Sequence, residues 1–122
     1  MSLTDVKALI FDVFGTVVDW RSSIINQCQE LGRLKGVEAD WGEFADSWRG
    51  QYRPFMDKVR NGDLPWTNLD ALHRMSLDVV LDQFGLSGFS DSERDQMNLF
   101  WHNLRPWADS VPGLYRLKSR YC

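Results

Sequence analysis

Apolar positions along this chain recur mostly at spacings of three and four, and one stretch near the start departs from that rule. In Lys7-Ala8-Leu9-Ile10-Phe11-Asp12-Val13-Phe14-Gly15-Thr16, residues 8–11 are continuously apolar and do not alternate. Such a run suits a strand covered on both faces in a parallel α/β sheet, so a strand is predicted over 5–11 with Asp12 at its end. Beyond it the helical period takes over. Ile24, Ile25, Cys28, Leu31 and Leu34 predict a helix that starts at Ser22 or Ser23 and is stopped by Gly36. Asp40 and Glu43 have capping-box spacing ahead of Trp41, Phe44, Ala45, Trp48, Tyr52, Phe55, Met56 and Val59. Pro54 lies inside that pattern and predicts a bend, because it offers no N–H to the carbonyl of Gly50. Thr67 or Asn68 caps a third pattern with Leu69, Leu72, Met75, Val79, Val80 and Phe84, closed by Gly85. Ser90 and Glu93 repeat the capping-box spacing before Met97, Phe100, Trp101 and Leu104.

Pro106 breaks the last pattern, Trp107 is large enough to anchor the return, and Asp109 or Ser110 opens a short helix near 111–120. One strand, several helices and a proline-containing return describe an α/β core interrupted by a helical insertion. The core is expected to comprise 1–17 and 106–122, and the insertion 18–105. A parallel strand needs neighbours, and the remaining residues contain no second apolar β-run. The expectation is therefore the front part of a larger protein, or a sheet completed by something else.

Composition narrows the classes. An apolar content of 43% excludes a disordered chain, and 122 residues are enough for a real core. Fourteen Lys and Arg against 17 Asp and Glu leave a net charge of -3, which gives no support to nucleic-acid binding. No run approaches a membrane span, and no secretory apolar region occurs, because Asp12 interrupts the only candidate. A cytoplasmic protein is expected, with Cys28 a small buried hydrophobe.

The candidate chemistry is concentrated at Asp12. A carboxylate at a strand tip, with Gly15 allowing a tight turn and the Thr16 hydroxyl able to donate back, reads as an oriented nucleophile. The competing reading is an Asp that satisfies turn amides. Position 14 is Phe, so no second carboxylate faces the same cleft. His73 and His102 stand apart with no Cys-x-x-Cys, and neither a zinc cluster nor a phosphate-cradling glycine motif is present. Both histidines read as surface or packed residues. Arg49 follows Trp48 and neighbours Tyr52 and Phe55; it either points to solvent, pairs with Asp46, or holds a small carboxylate, with Arg53 as competitor. Trp20 and Trp66 read as packing residues.

Asp12-Val13-Phe14-Gly15-Thr16, after an apolar strand and before Val17-Val18-Asp19-Trp20, resembles the first motif of the haloacid dehalogenase superfamily. The helical insertion and Trp48-Arg49 resemble the type II 2-haloacid dehalogenases, which act on L-2-haloacids. The resemblance covers essentially the whole chain and implies a Rossmann-like core with an inserted helical cap. It implies Asp12 as the nucleophile that displaces halide and forms an ester, and Thr16 as the residue that orients it. It places Arg49 and Phe14 at the substrate and halide site. Superfamily phosphatases usually carry Asp where this chain has Phe14 and need magnesium, so the resemblance implies no metal and no cofactor. The implied partners are a small 2-haloacid, water and the halide product, with a homodimer as a candidate assembly. The family's later motifs would follow Cys122, so the activity is expected of the intact parent protein. The alternatives are a magnesium-dependent phosphatase of small metabolites in the same superfamily and a non-catalytic α/β interaction domain.

Overall fold

Asp19, not Ser22 or Ser23, opens the first helix. Its carboxylate accepts from the Ser22 N–H at 3.1 Å, which satisfies one of the free donors of the first turn and starts α1 at Trp20. This helix, α1 (Trp20–Lys35), stops at Gly36, which takes the left-handed conformation at φ 70°. The computed structural model describes residues 3–122, so the first two residues of the predicted core part lie outside the described ones.

The predicted bent helix is two helices. α2 (Trp41–Gly50), capped by Asp40 through the Glu43 N–H, ends at Gln51, and α3 (Tyr52–Arg60) starts there. Pro54 thereby falls in the first turn of α3, where a missing N–H costs nothing, and the chain breaks where a bend was expected. α4 (Leu69–Gln83) is capped by Asn68, and α5 (Asp91–Asn98) by a complete Ser90–Glu93 capping box. Glu93 also accepts from both sides by taking Lys35 Nζ at 2.8 Å on each oxygen, which ties the end of α1 to the start of α5. That ammonium, with the Ser90 N–H, holds the Glu93 carboxyl down at about 2.

These helices close over one core. Ile24 and Cys28 from α1, Phe44, Ala45 and Trp48 from α2, and Leu77, Val80 and Leu81 from α4 meet Phe89, Met97 and Trp101. Cys28 is fully buried, as expected, and burial pushes its thiol up to about 12. The face of α4 differs from the predicted one. Leu72, His73, Ser76, Leu77, Val80 and Leu81 are buried while Val79 is exposed, because α4 is packed by α2 and α3 on one side and α5 on another.

The N-terminal strand is the main correction. Leu3–Asp5 forms a 3-10 helix, and residues 6–13 run extended without forming a strand of a sheet. Along 6–12 the described residues show backbone pairing with Cys122, whose N–H donates to Lys7 O at 3.1 Å while Leu9 N–H donates to Cys122 O at 3.3 Å. Those two bonds bracket Ala8 in the pattern of a parallel pair. The described strands are short and were not predicted. β1 (Val18–Asp19) pairs antiparallel with β2 (Arg105–Pro106), so the two ends of the helical block meet in a ribbon. Pro106 fits there because an edge position needs no second donor. Trp107 anchors the return as expected: its N–H donates to Val17 O and its Nε1–H to Gly15 O, both at 3.1 Å. Ser110 Oγ also donates to Val17 O, at 2.6 Å, at the start of α6 (Ser110–Lys118).

Candidate active site

The loop after the extended segment folds around one carbonyl. The N–H groups of Thr16, Val17 and Val18 all donate to Val13 O, and Gly15 N–H donates to Val18 O at 2.9 Å. Gly15 takes φ 88°, which a residue with a Cβ adopts only under strain. That turn carries Thr16 back over the end of the preceding segment, where its hydroxyl donates to Asp12 Oδ2 at 2.7 Å. The turn amides thus find their acceptors in the main chain, and the Asp12 carboxylate is engaged by a side-chain hydroxyl. Asp12 is not a turn cap. It is exposed, and among the described residues its Oδ1 has no hydrogen-bond partner.

Arg49 comes to this loop from the last turn of α2. Its guanidinium carbon lies 5.1 Å from the Phe14 ring, 6.0 Å from Trp20 and 4.4 Å from Tyr52. Asp46, the carboxylate that could have taken it, is held by Arg21 through two bonds of 2.8 and 3.1 Å. That pairing lowers the Asp46 carboxyl. Arg74 and Arg94 likewise sit on carboxylates, but among the described residues Arg49 has rings and no acidic partner. Arg53, one turn on, is exposed. A half-buried guanidinium walled by aromatic faces is attracted to them by about 0.5–2 kcal/mol each. Its planar fork of donors remains free for an anion.

The predicted residues therefore assemble as two contacts: Thr16 on Asp12, and Arg49 on Phe14. Sequence reasoning missed Trp20 as part of this assembly and undervalued Tyr52. Trp20 opens α1 directly after β1, so the ribbon aims it at Arg49; nothing in its local sequence signals that. Tyr52 stands three residues after Arg49, a same-face spacing that carries across the break at Gln51. His73 is packed, as expected: it is buried beneath Trp101, and burial together with the Arg49 charge lowers its imidazole to about 4. His102 is exposed and pairs with Asp70 at 2.9 Å. A cleft of about 350 Å³ between α1 and residues 96–105 is lined by neither Asp12 nor Arg49. Its one carboxylate, Glu30, is bound by Arg33.

Solved structures carry the same arrangement of elements. The L-2-haloacid dehalogenase PA0810 is 48% identical over 95% of this chain, with a TM-score of 0.84. The defluorinating L-2-haloacid dehalogenase Rha0230 is 42% identical over 95% of it, with a TM-score of 0.89. Over nearly its whole length the chain is homologous to the L-2-haloacid dehalogenases, type II members of the haloacid dehalogenase superfamily. It spans about half the length of these two dehalogenases, 49% and 48% respectively. The L-2-haloacid dehalogenase from Xanthobacter autotrophicus with chloropropionic acid covalently bound shares the fold at 21% identity. It covers 93% of this chain and 43% of its own, with a TM-score of 0.75. No family model matches the chain, and no curated protein matches it by sequence. The α/β architecture with helical insertions is that of the dehalogenase core with its cap. Among the described residues, no helix is long and apolar enough to cross a membrane.

Proposed function

We propose that the intact protein hydrolyses small 2-haloacids to 2-hydroxyacids, with Asp12 as nucleophile. The observation that carries this reading is the Arg49 guanidinium, without an acidic partner among the described residues, set in rings against the loop that bears Asp12 and Thr16. A 2-haloacid has two features such a site would read: a carboxylate for Arg49 and, one carbon away, an electrophilic carbon for Asp12. The Asp12 oxygen attacks that carbon from behind, and the halide leaves with the bonding pair. Water then adds to the ester carbonyl of Asp12, the 2-hydroxyacid departs with the original Asp12 oxygen, and one proton goes to solvent. Thr16 fixes which Asp12 oxygen is held and which is free. Phe14 and Arg49 form the substrate and halide wall.

Identity to PA0810 and Rha0230 supports this chemistry, and with it a core of 1–17 and 106–122 carrying a cap of 18–105. We read the protein as cytoplasmic, and a homodimer as the assembly to test by sedimentation.

Asp12→Asn should abolish halide release in the intact protein while leaving it folded, because an amide is a far poorer nucleophile. A single turnover in heavy-oxygen water should label Asp12 first and product only later; label arriving directly in product would replace the ester route by attack of water. Arg49→Lys keeps the charge and loses the planar fork, and Arg49→Ala loses both. Each should lower kcat/KM with 2-chloropropionate by on the order of 100-fold, the scale of a 1 Å misplacement. Arg53→Ala should stay within about twofold, as surface changes do. Halide release that disappears with a chelator would favour a metal-dependent hydrolase instead.

A further inference from the structure

The aromatic walls of the site meet on one residue, Trp101. The Trp101 ring lies 5.8 Å from Phe14 and 6.1 Å from Trp20, stacked at 27°. It also lies edge-on to Trp48 at 5.3 Å and stacks on His73 at 4.6 Å and 25°. Phe14 and Trp20 are two of the rings against Arg49. Trp101 and His73 are 6% and 3% exposed, and Trp101 Nε1 and His73 Nδ1 have no hydrogen-bond partner among the described residues. Trp48, in the same cluster, uses its Nε1–H on the His73 carbonyl at 3.1 Å, so this interior does satisfy an indole elsewhere.

An unsatisfied buried donor or acceptor costs on the order of 1–3 kcal/mol, and here two lie on stacked rings. A leucine at 73 would fill comparable volume without a polar atom to satisfy. A phenyl at 101 would carry no N–H, but it could not span Phe14, Trp20, Trp48 and His73 at once. The polar cost is carried where the reach of the two rings is needed, directly behind the walls of Arg49. Each buried polar group left unpaired calls for a reason, and holding a site in one geometry is one.

We propose that the Trp101–His73 stack is a positioning pair that sets Phe14 and Trp20, and through them the Arg49 guanidinium, for the substrate carboxylate. This rests on the reading of Arg49 as the carboxylate clamp. Neither residue touches substrate. Their effect passes through the rings, so it falls on substrate binding more than on the attack by Asp12.

The test uses the intact protein with Trp101→Leu, Trp101→Phe and His73→Leu, and with Phe89→Leu as a control. Phe89 is a buried core residue under Lys35 with no ring contact to the site. Two quantities are read: KM against kcat for 2-chloropropionate, and the proton resonance of Arg49 Nε–H, which the surrounding rings shift. Trp101→Leu should raise KM about tenfold, the effect of a sub-ångström displacement of the clamp, with a smaller change in kcat. Trp101→Phe should fall between it and the wild type. His73→Leu should raise KM while the melting temperature holds or rises, since an unsatisfied nitrogen is removed. A residue with only a packing role would not move those two apart. All three should displace the Arg49 resonance, and Phe89→Leu should not. Unchanged KM and an unmoved resonance in His73→Leu and Trp101→Phe overturn the proposal, even if Trp101→Leu fails to fold. If the wild type releases no halide, the dehalogenase reading falls, and the Arg49 resonance alone decides the positioning role.

Discussion

The helical block and the segment that carries Asp12 solve the same problem with opposite results. In the block, Ile24, Phe44, Trp48, Leu77 and Leu81 are essentially sealed from solvent. In the segment 6–13 and on α6, Ile10 is fully exposed and Phe11, Val13, Val111, Leu114 and Leu117 are exposed in part. The exposed segment is the more apolar of the two, with six of the eight residues in 6–13, so composition does not explain the difference. A helix pairs its own backbone and needs only a face to bury, which neighbouring helices supply. An extended segment needs partners for its N–H and C=O groups, and covers for both faces, from elsewhere in the fold. Among the described residues, the backbone of 6–13 is met by Cys122 and, at Val13 O, by the N–H groups of Thr16, Val17 and Val18. The site straddles this divide: Arg49 sits on the well-packed side and Asp12 on the open one.

The sharpest way to break the comparison is to remove one large apolar side chain from each side. Phe44→Ala opens a cavity among Trp41, Trp48 and Phe84 and should cost about 3–5 kcal/mol. Ile10→Ser should cost less than about 0.5 kcal/mol in this chain, because the side chain is already in water. Urea titration of both variants measures the pair; equal losses would mean that the extended segment is packed in solution.

Acid should also separate the two sides. His73 ordinarily titrates near 6.5, and in the folded chain it is lowered to about 4, first by burial and then by Arg49. Between those values the unfolded chain binds the proton and the folded chain does not. The stabilisation is therefore complete above about pH 6.5 and is lost as pH falls to about 4. At about 1.4 kcal/mol per pH unit, the full span is worth up to about 3 kcal/mol. Denaturant midpoints measured from pH 7 to pH 4 should fall steeply in the wild type and less in His73→Leu; parallel slopes would contradict it.

The smallest expected effects concern helix starts. Asp40 and Asn68 accept N–H groups at 3.0 and 2.9 Å, so Asp40→Ala and Asn68→Ala should each cost about 1 kcal/mol. Asp109 caps α6 without a side-chain bond, and Asp109→Ala should stay within about 0.5 kcal/mol. Thermal melts suffice to rank the three, and a cost at Asp109 equal to that at Asp40 would show a cap in solution.

Sequence by itself determined what rests on neighbours along the chain. The capping pairs Asp40–Glu43 and Ser90–Glu93, the stop at Gly36 and the buried face of α1 at Ile24 and Cys28 all depend on contacts within a few residues. The Asp12–Thr16 hydrogen bond belongs here too, because one turn of five residues makes it. Tertiary structure alone decided the rest. It paired Val18–Asp19 with Arg105–Pro106 across the whole helical block and chose which face of α4 is covered. It also gave Asp46 to Arg21 and so left Arg49 for Phe14, Trp20 and Tyr52. Those outcomes hang on distant residues competing for one partner, and a local pattern of apolar and polar positions contains no term for such competition.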